Sequence, residues 1–228
     1  MNLSRMKICF VLLPGFSPDS KPVLALKRAI EKQGYTALVS GFFGNVSIVD
    51  FQKLTISECQ NNISNLINQT ALKYDKVIGV GMSLGGALLL EHAKTKNNLY
   101  GIVSIGTPFR LKSRQLMRMG EFIFPVLYPF WKRFEKIKRL RLPPIGAGQV
   151  VIQYLENEFL QKLDKIHTPV LFLHSKKDLV TDYESLPKYT TQLSHSRSQT
   201  ILTENGSHVI AHDPNYIIDK AINFLSIA

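Results

Sequence analysis

A glycine-rich turn between an apolar segment and a helical one is the feature that most constrains the fold. The stretch is Val77-Ile-Gly-Val-Gly-Met-Ser-Leu-Gly-Gly86, and residues 87–93 continue it as a predicted helix. A sharp strand-to-helix turn raises the hydroxyl of Ser83 above the sheet and aims the backbone N–H of Leu84 at the same space. The flanking glycines suit a turn in which backbone approaches backbone, where a Cβ would clash. The stretch therefore predicts a nucleophilic serine at the end of a strand.

Strand and helix patterns alternate along most of the chain. The strands are predicted at residues 7–13, 35–40, 76–80, 99–105, 170–174 and 198–202. The helices are predicted at 21–33, 56–72, 87–93, 151–163, 183–193 and 215–227. This alternation predicts the α/β class, with a mostly parallel central sheet covered by helices on both faces. Ligands of such sheets bind at the carboxyl ends of the strands, so the loops at those ends should meet in one crevice.

One segment carries most of the net charge of +11. Residues 110–141 contain ten Lys and Arg but two Glu, and the rest of the chain is close to neutral. Such local basicity argues against a nucleic-acid-binding domain, so we expect no nucleic-acid partner. We predict that residues 109–150 form a small, mainly helical cap inserted into one α/β domain, which is built from residues 1–108 and 151–228.

The cysteine content and the apolar runs indicate a cytoplasmic protein without a metal. Cys9 and Cys59 form no Cys-x-x-Cys or Cys/His metal spacing, which favours free thiols in a reducing compartment. The apolar run at residues 8–13 is too short for a signal sequence, and no run has the length of a membrane span. The length of 228 residues separately predicts one domain with a full core.

A serine nucleophile requires a base and a carboxylate, and the loops after two later strands supply both. Asp178 follows the strand at 170–174, and His208 follows the strand at 198–202. The order serine, acid, histidine is the one expected when the serine lies on a strand-to-helix turn of this type. We therefore predict that Ser83, Asp178 and His208 form a catalytic triad.

Each of the two partners has an alternative nearby. Asp182 follows Asp178 in the same loop, and His212 follows His208. His212 directly precedes Asp213-Pro214, which has the pattern of a helix start, so a structural role is favoured for it. The other histidines are expected in packing, surface or loop positions: His92, His167, His174 and His195.

The chain resembles the α/β-hydrolase superfamily, and within it the small bacterial carboxylesterases and monoacylglycerol-lipase-like serine hydrolases. The matching segments occur in the family order: Leu13-Pro-Gly-Phe16, Gly81-Met-Ser-Leu-Gly-Gly86, Gly101-Ile-Val-Ser-Ile-Gly-Thr-Pro108, Ile166-His-Thr-Pro-Val170, Lys177-Asp-Leu-Val180 and Asn205-Gly-Ser-His-Val-Ile210. Many relatives carry His-Gly before the phenylalanine, where this chain has Pro14-Gly15.

The resemblance implies a serine carboxylesterase that needs no cofactor and no metal. It implies Ser83 as nucleophile, Asp178 as orienting acid and His208 as base. It also implies that the backbone N–H groups of Phe16 and Leu84 form the oxyanion hole. The expected substrates are short- to medium-chain acyl esters, with monoacylglycerols as one possibility.

Three interpretations of the basic insertion stay open. As a lid, it would line an acyl pocket with Phe122, Phe124, Leu127, Tyr128, Phe130 and Trp131. As an interfacial element, it would insert aromatic side chains into a membrane surface while Lys and Arg meet anionic headgroups. Its basic face could also be solvated and bind nothing.

Three other functions are compatible with the same residues. A thioesterase or acyltransferase shares the acyl-enzyme, and a basic cap would suit the phosphates of an acyl-CoA substrate. A non-catalytic ligand-binding protein or a membrane-associated scaffold would retain the fold without turnover. The oligomeric state is not indicated by the sequence.

Overall fold

The computed structural model describes residues 6–16, 21–40, 55–112, 145–193, 197–204, 206, 208 and 213–227. Within these ranges, no helix has the length and apolar content that crossing a membrane requires. The predicted pocket residues of the insertion, from Phe122 to Trp131, lie outside the described residues. The division into a core and a cap at 109–150 therefore stays a prediction.

In the part of the chain that the structure describes, six parallel strands form one sheet. They are β1 (Ile8–Leu13), β2 (Thr36–Val39), β3 (Lys76–Met82), β4 (Gly101–Ile105), β5 (Val170–Ser175) and β6 (Gln199–Thr203). The spatial order is β2-β1-β3-β4-β5-β6, and every neighbouring pair is parallel. The predicted parallel α/β class is confirmed.

Helices cover both faces of the sheet. The described helices are α1 (Lys21–Lys32), α2 (Ile56–Ala71), α3 (Leu84–Ala93), α4 (Ile145–Asn157), α5 (Leu186–Thr190) and α6 (Pro214–Leu225). Short 3₁₀ turns occur at Leu163–Lys165 and Tyr183–Ser185. The start of α6 matches its sequence pattern, since the side chain of Asp213 accepts a hydrogen bond from the N–H of Tyr216 at 3.1 Å.

Alternating side chains of the four central strands, β1, β3, β4 and β5, enter two separate apolar clusters. In β1, Val11 and Leu13 pack with α2, α3 and α4, whereas Phe10 and Leu12 pack with α1 and α6 on the opposite face. Successive residues of a strand point to opposite faces, so a strand buried on both sides must be apolar throughout. This requirement explains the continuous apolar runs in the sequence.

Two predicted helices differ most from the structure. The helix predicted to begin at residue 151 begins at Ile145 and ends at Asn157. Its first turns contain Gly146 and Gly148, which are poor helix formers and concealed the start of the helix. The helix predicted for 183–193 is a 3₁₀ turn followed by the five residues of α5, because Pro187 fits only the first turn of an α-helix.

The direction of chain connection reverses between β1 and β3. From β1 the chain moves outward to β2, and it then returns to the other side of β1 to form β3. The loops that leave adjacent strands on either side of such a reversal diverge and leave a crevice between them. Here these loops begin at Pro14, after β1, and at Ser83, after β3.

Candidate active site

Ser83 occupies a strained turn between β3 and α3. Its backbone has φ 50° and ψ −118°, a conformation that non-glycine residues rarely adopt. The turn is closely packed, since a Cβ on Gly81 would lie 2.5 Å from the nitrogen of Gly86. The N–H of Ser83 also donates to the carbonyl of Ile105 on β4 at 2.8 Å. The glycines and this hydrogen bond hold the serine where β3 ends.

The loop after β1 lies directly against this turn. A Cβ on Gly15 would lie 3.2 Å from the Cβ of Ser83, and one on Gly85 would lie 2.5 Å from the carbonyl oxygen of Leu13. Phe16 follows Gly15, and its half-buried side chain packs on the core. Leu84 is the first residue of α3, where a backbone N–H has no acceptor within the helix.

The three predicted triad residues form a continuous chain of hydrogen bonds. His208 Nε2 lies 2.9 Å from Ser83 Oγ, and His208 Nδ1 lies 2.9 Å from Asp178 Oδ2. An ionised carboxylate only accepts hydrogen bonds, so Nδ1 of a neutral His208 carries the proton and Nε2 accepts from the serine hydroxyl. This arrangement prepares Nε2 to take the serine proton.

Asp178 is fully buried and held by the start of the loop that follows it. The N–H groups of Val180 and Thr181 donate to its Oδ1 at 2.8 and 3.0 Å. Burial opposes ionisation of this carboxyl group, but the hydrogen bonds from His174, His208 and Thr181 outweigh burial and hold its pKa well below the usual range. Asp178 is therefore a carboxylate throughout the neutral pH range.

Asp182, the alternative acid, makes different contacts. Its side chain accepts from the N–H of Glu184 at 3.1 Å and lies 3.2 Å from Nε of Arg110. It thus begins the 3₁₀ turn and pairs with the segment after β4, while Asp178 contacts the histidine. The alternative base His212 lies outside the described residues.

Two residues beside Asp178 were missed in the sequence. His174 was expected to be a packing or surface residue, yet its Nε2 lies 3.2 Å from Asp178 Oδ2 and 2.7 Å from Thr181 Oγ1. Thr181 Oγ1 in turn donates to Asp178 Oδ2 at 2.5 Å. Their positions four residues before and three residues after Asp178 were the available signal, because both flank it at the end of one strand.

The loop that carries His208 contacts β4 closely. A Cβ on Gly106, whose φ is 57°, would lie 2.5 Å from the carbonyl oxygen of His208.

In the described ranges, no group of three or more His, Cys, Asp and Glu side chains is arranged to hold a metal ion. The chemistry that this arrangement supports is transfer of the serine proton to a histidine.

Solved structures similar to this chain include several lipolytic enzymes, although no protein-family model matches it. A structure from a study of the metagenome-derived lipolytic enzymes LipS and LipT is 16% identical, covers 98% of this chain and 95% of that one, and has a TM-score of 0.77. A monoacylglycerol lipase from Paleococcus ferrophilus is 18% identical over 96% of this chain and 95% of its own, with a TM-score of 0.68. A soluble variant of the monoglyceride lipase from Saccharomyces cerevisiae is 16% identical over 98% and 87%, with a TM-score of 0.70.

Identities below one fifth establish similarity of fold. The neighbours match nearly the whole chain, and the six-stranded parallel sheet carries Ser83 on the turn from a strand to a helix. The chain therefore has the α/β-hydrolase fold and resembles lipases and esterases in structure.

Proposed function

We propose that this protein is a serine hydrolase that cleaves carboxylic esters through an acyl-enzyme on Ser83. The observation that carries the proposal is the hydrogen-bond chain from Ser83 Oγ through both nitrogens of His208 to Asp178, each link being 2.9 Å. A serine hydroxyl becomes a nucleophile at neutral pH when a base lies within hydrogen-bond reach and a third group orients that base. Here the serine is Ser83, the base is His208 and the orienting group is Asp178.

In the first half of the reaction, His208 Nε2 takes the proton as Ser83 Oγ bonds to the ester carbonyl carbon. The resulting imidazolium is stabilised by the carboxylate of Asp178. The tetrahedral intermediate collapses as the carbon–oxygen bond to the alcohol breaks, and the alcohol leaves with the proton from Nε2. An acyl group then remains on the serine oxygen.

In the second half, water replaces the alcohol. His208 takes a proton from the water while the water oxygen attacks the acyl carbon. The second tetrahedral intermediate then releases Ser83 Oγ. The proton on Nε2 returns to the serine, and the product is a carboxylic acid. The same residues act in both halves, so no further group is needed for proton balance.

The oxyanion that forms in each half requires hydrogen-bond donors. The proposed donors are the backbone N–H groups of Leu84 and Phe16. The position of Leu84 at the start of α3 supports the first, since its N–H has no acceptor within the helix. The contact between Gly15 and Ser83 supports the second, because it brings the Phe16 segment beside the reacting oxygen.

The proposed substrates are short- to medium-chain acyl esters, including monoacylglycerols. Support comes from the fold, which this chain shares with monoacylglycerol lipases over nearly its whole length. Four further features stay predictions from the sequence. They are the lid at 109–150, its lining by residues 122–131, peripheral contact with a membrane and a cytoplasmic location.

Hydrolysis of p-nitrophenyl esters from acetyl to palmitoyl, by the wild type and by Ser83→Ala, tests the proposal. We expect Ser83→Ala to lower kcat by roughly 10⁶-fold, the loss found when the nucleophile of a well-studied serine hydrolase is removed. Matched oxyesters and acyl-CoA thioesters of the preferred chain length then separate an esterase from a thioesterase.

A matched control exists within the chain. Ser64 Oγ lies 2.9 Å from Nδ1 of His92, and Nε2 of His92 lies 2.8 Å from Oδ1 of Asn98. This second serine–histidine pair has neither the strained turn nor a carboxylate. Ser64→Ala should therefore retain both turnover and labelling by a fluorophosphonate, while Ser83→Ala loses both. Equal rates for the wild type and Ser83→Ala would contradict the proposal.

A further inference from the structure

Asp178 lies between two histidines, of which the proposed mechanism uses one. Its Oδ2 is 2.9 Å from Nδ1 of His208 and 3.2 Å from Nε2 of His174. The hydroxyl of Thr181 reaches the same oxygen at 2.5 Å. The side chain of His174 is 2% exposed, so its polar ring is buried beside the carboxylate. Burying a polar imidazole costs free energy unless its nitrogens form hydrogen bonds, so the contacts of His174 need an explanation.

Counting protons assigns the direction of each hydrogen bond. Thr181 has one hydroxyl proton, which it donates to Oδ2 of Asp178. Its oxygen must then accept from Nε2 of His174, which is 2.7 Å away. Nε2 of His174 therefore carries a proton. The same nitrogen lies 3.2 Å from Oδ2 of Asp178. The order is His174 to Thr181 to Asp178, with every bond directed toward the carboxylate.

We propose that His174 is a positioning residue for the serine hydrolase reaction. Its Nε2–H and the Thr181 hydroxyl form a two-bond relay that orients the Asp178 carboxylate toward His208 and disperses part of its negative charge. The inference rests on the proposed function, since it concerns how the acid acts on the base of that mechanism.

Three cationic side chains on and beside this loop have partners other than the Asp178 carboxylate. Nζ of Lys112 donates to the backbone carbonyl of Asp178 at 2.8 Å. Arg110 pairs with Asp182, and Lys176 pairs with Glu204 beyond the end of β6. Among the described residues, the donors that reach the carboxylate oxygens of Asp178 are His174, His208, the N–H and hydroxyl of Thr181, and the N–H of Val180.

Removing the relay has two physical consequences. The first concerns charge. The donors of the relay weaken the attraction between the Asp178 carboxylate and the imidazolium of His208, so without them the attraction is stronger and His208 should protonate at higher pH. The carboxylate also loses a fixed orientation, which disturbs the alignment of His208 with Ser83 and lowers kcat. A purely structural role would lower stability and move neither quantity.

Two polar replacements of His174 distinguish a positioning role from a purely structural one. The amide nitrogen of Gln reaches the position of Nε2, whereas that of Asn reaches only the position of Nδ1. We expect His174→Asn to lower kcat about 10- to 100-fold, the loss typical of removing a supporting partner of a metal-site ligand. KM should stay unchanged, and the acidic limb of the pH–rate profile should move to higher pH. We expect His174→Gln to restore most of both losses.

His92 supplies the matched control. It is also a buried histidine with a hydrogen bond at each ring nitrogen, but its partners are Ser64 and Asn98, which take no part in the triad. His92→Asn should lower stability and leave kcat and the acidic limb unchanged. If His174→Asn does not fold, Thr181→Val removes the middle of the relay and should cause the same two shifts.

Long-range ¹H–¹⁵N spectra of the histidine side chains test the relay without turnover. In the wild type we expect the Nε2–H tautomer for His174 and the Nδ1–H tautomer for His208. The titration of the His208 nitrogens should move to higher pH in His174→Asn, return in His174→Gln and stay unchanged in His92→Asn. An Nδ1–H tautomer of His174, or identical His208 titrations and kcat in the Asn and Gln variants, would overturn the inference. Absence of Ser83-dependent activity would instead contradict the proposed function, and the spectra would still decide the relay.

Discussion

Ser175 at the end of β5 is hydrogen-bonded to Gly206 in the loop that carries His208. Its hydroxyl donates to the Gly206 carbonyl at 2.9 Å, and its oxygen accepts from the N–H of Lys177 at 3.1 Å. One buried serine therefore connects the loop of the predicted acid to the loop of the predicted base. These two loops are 30 residues apart in the chain, and their spacing decides whether Asp178 reaches His208.

Ser175→Ala should lower both stability and activity. The variant leaves the Gly206 carbonyl without this donor, which costs about 1–3 kcal/mol in the free energy of unfolding. Because the loop of His208 is then less restrained, kcat should fall as well. Ser185→Ala is the control, since that buried hydroxyl also donates to a carbonyl, that of Asp182 at 2.6 Å, within a single loop. Urea unfolding and ester hydrolysis should show similar stability losses and a loss of kcat for Ser175→Ala alone.

Gly106→Ala should lower the proposed ester hydrolysis by displacing the backbone of His208. A Cβ at this position would lie 2.5 Å from the His208 carbonyl oxygen, so the loop must move. A displacement of about 1 Å in a catalytic group can cost about 10²-fold in rate. Gly34→Ala is the matched control, because its φ of 85° is also positive but nothing lies within 4 Å of the added Cβ. Both variants should lose roughly 1–2 kcal/mol to backbone strain, and only Gly106→Ala should lose kcat.

The stability contributed by Asp178 should depend on pH in one direction. Its folded-state pKa is lowered, so the stabilisation is complete above the unfolded value of about 3.9 and is lost as pH falls through the folded-state pKa. We therefore expect the stability difference between the wild type and Asp178→Asn to narrow as the pH falls below about 4. Denaturant unfolding at a series of pH values measures this difference, and a gap that widens on acidification would contradict it. At neutral pH, Asp178→Asn should lower kcat by about 10⁴-fold.

The two cysteines should be unreactive in the folded protein. Burial raises the pKa of Cys9 to about 11 and that of Cys59 to about 12, and both side chains are at most 2% exposed. The thiolate is the reactive form, so native protein should react with Ellman's reagent only as fast as it opens. Denatured protein should release two equivalents of the coloured product. Retention of esterase activity in N-ethylmaleimide would separate a serine nucleophile from a cysteine one.

The features that were predicted from the sequence are those that repeat over short distances. Strands buried on both faces require continuous apolar runs, and this requirement marks the four central strands. The bounds of all six predicted strands agree with the structure to within about two residues. The turn at Ser83 was recognisable because its glycines are demanded by local backbone packing. The start of α4 was missed because its glycines oppose the helix, which tertiary packing stabilises nevertheless.

By itself, the sequence determined the parallel α/β sheet, the turn at Ser83 and the loops from which its partners come. The tertiary structure decided that the side chain of Asp178 contacts His208 while that of Asp182 pairs with Arg110, and it placed His174 and Thr181 around Asp178. The physical reason is that the spacing of apolar residues and the backbone conformation are local properties of a chain. The direction of a side chain at the end of a strand depends on the loops that other strands bring beside it, and those loops meet only when the sheet has formed.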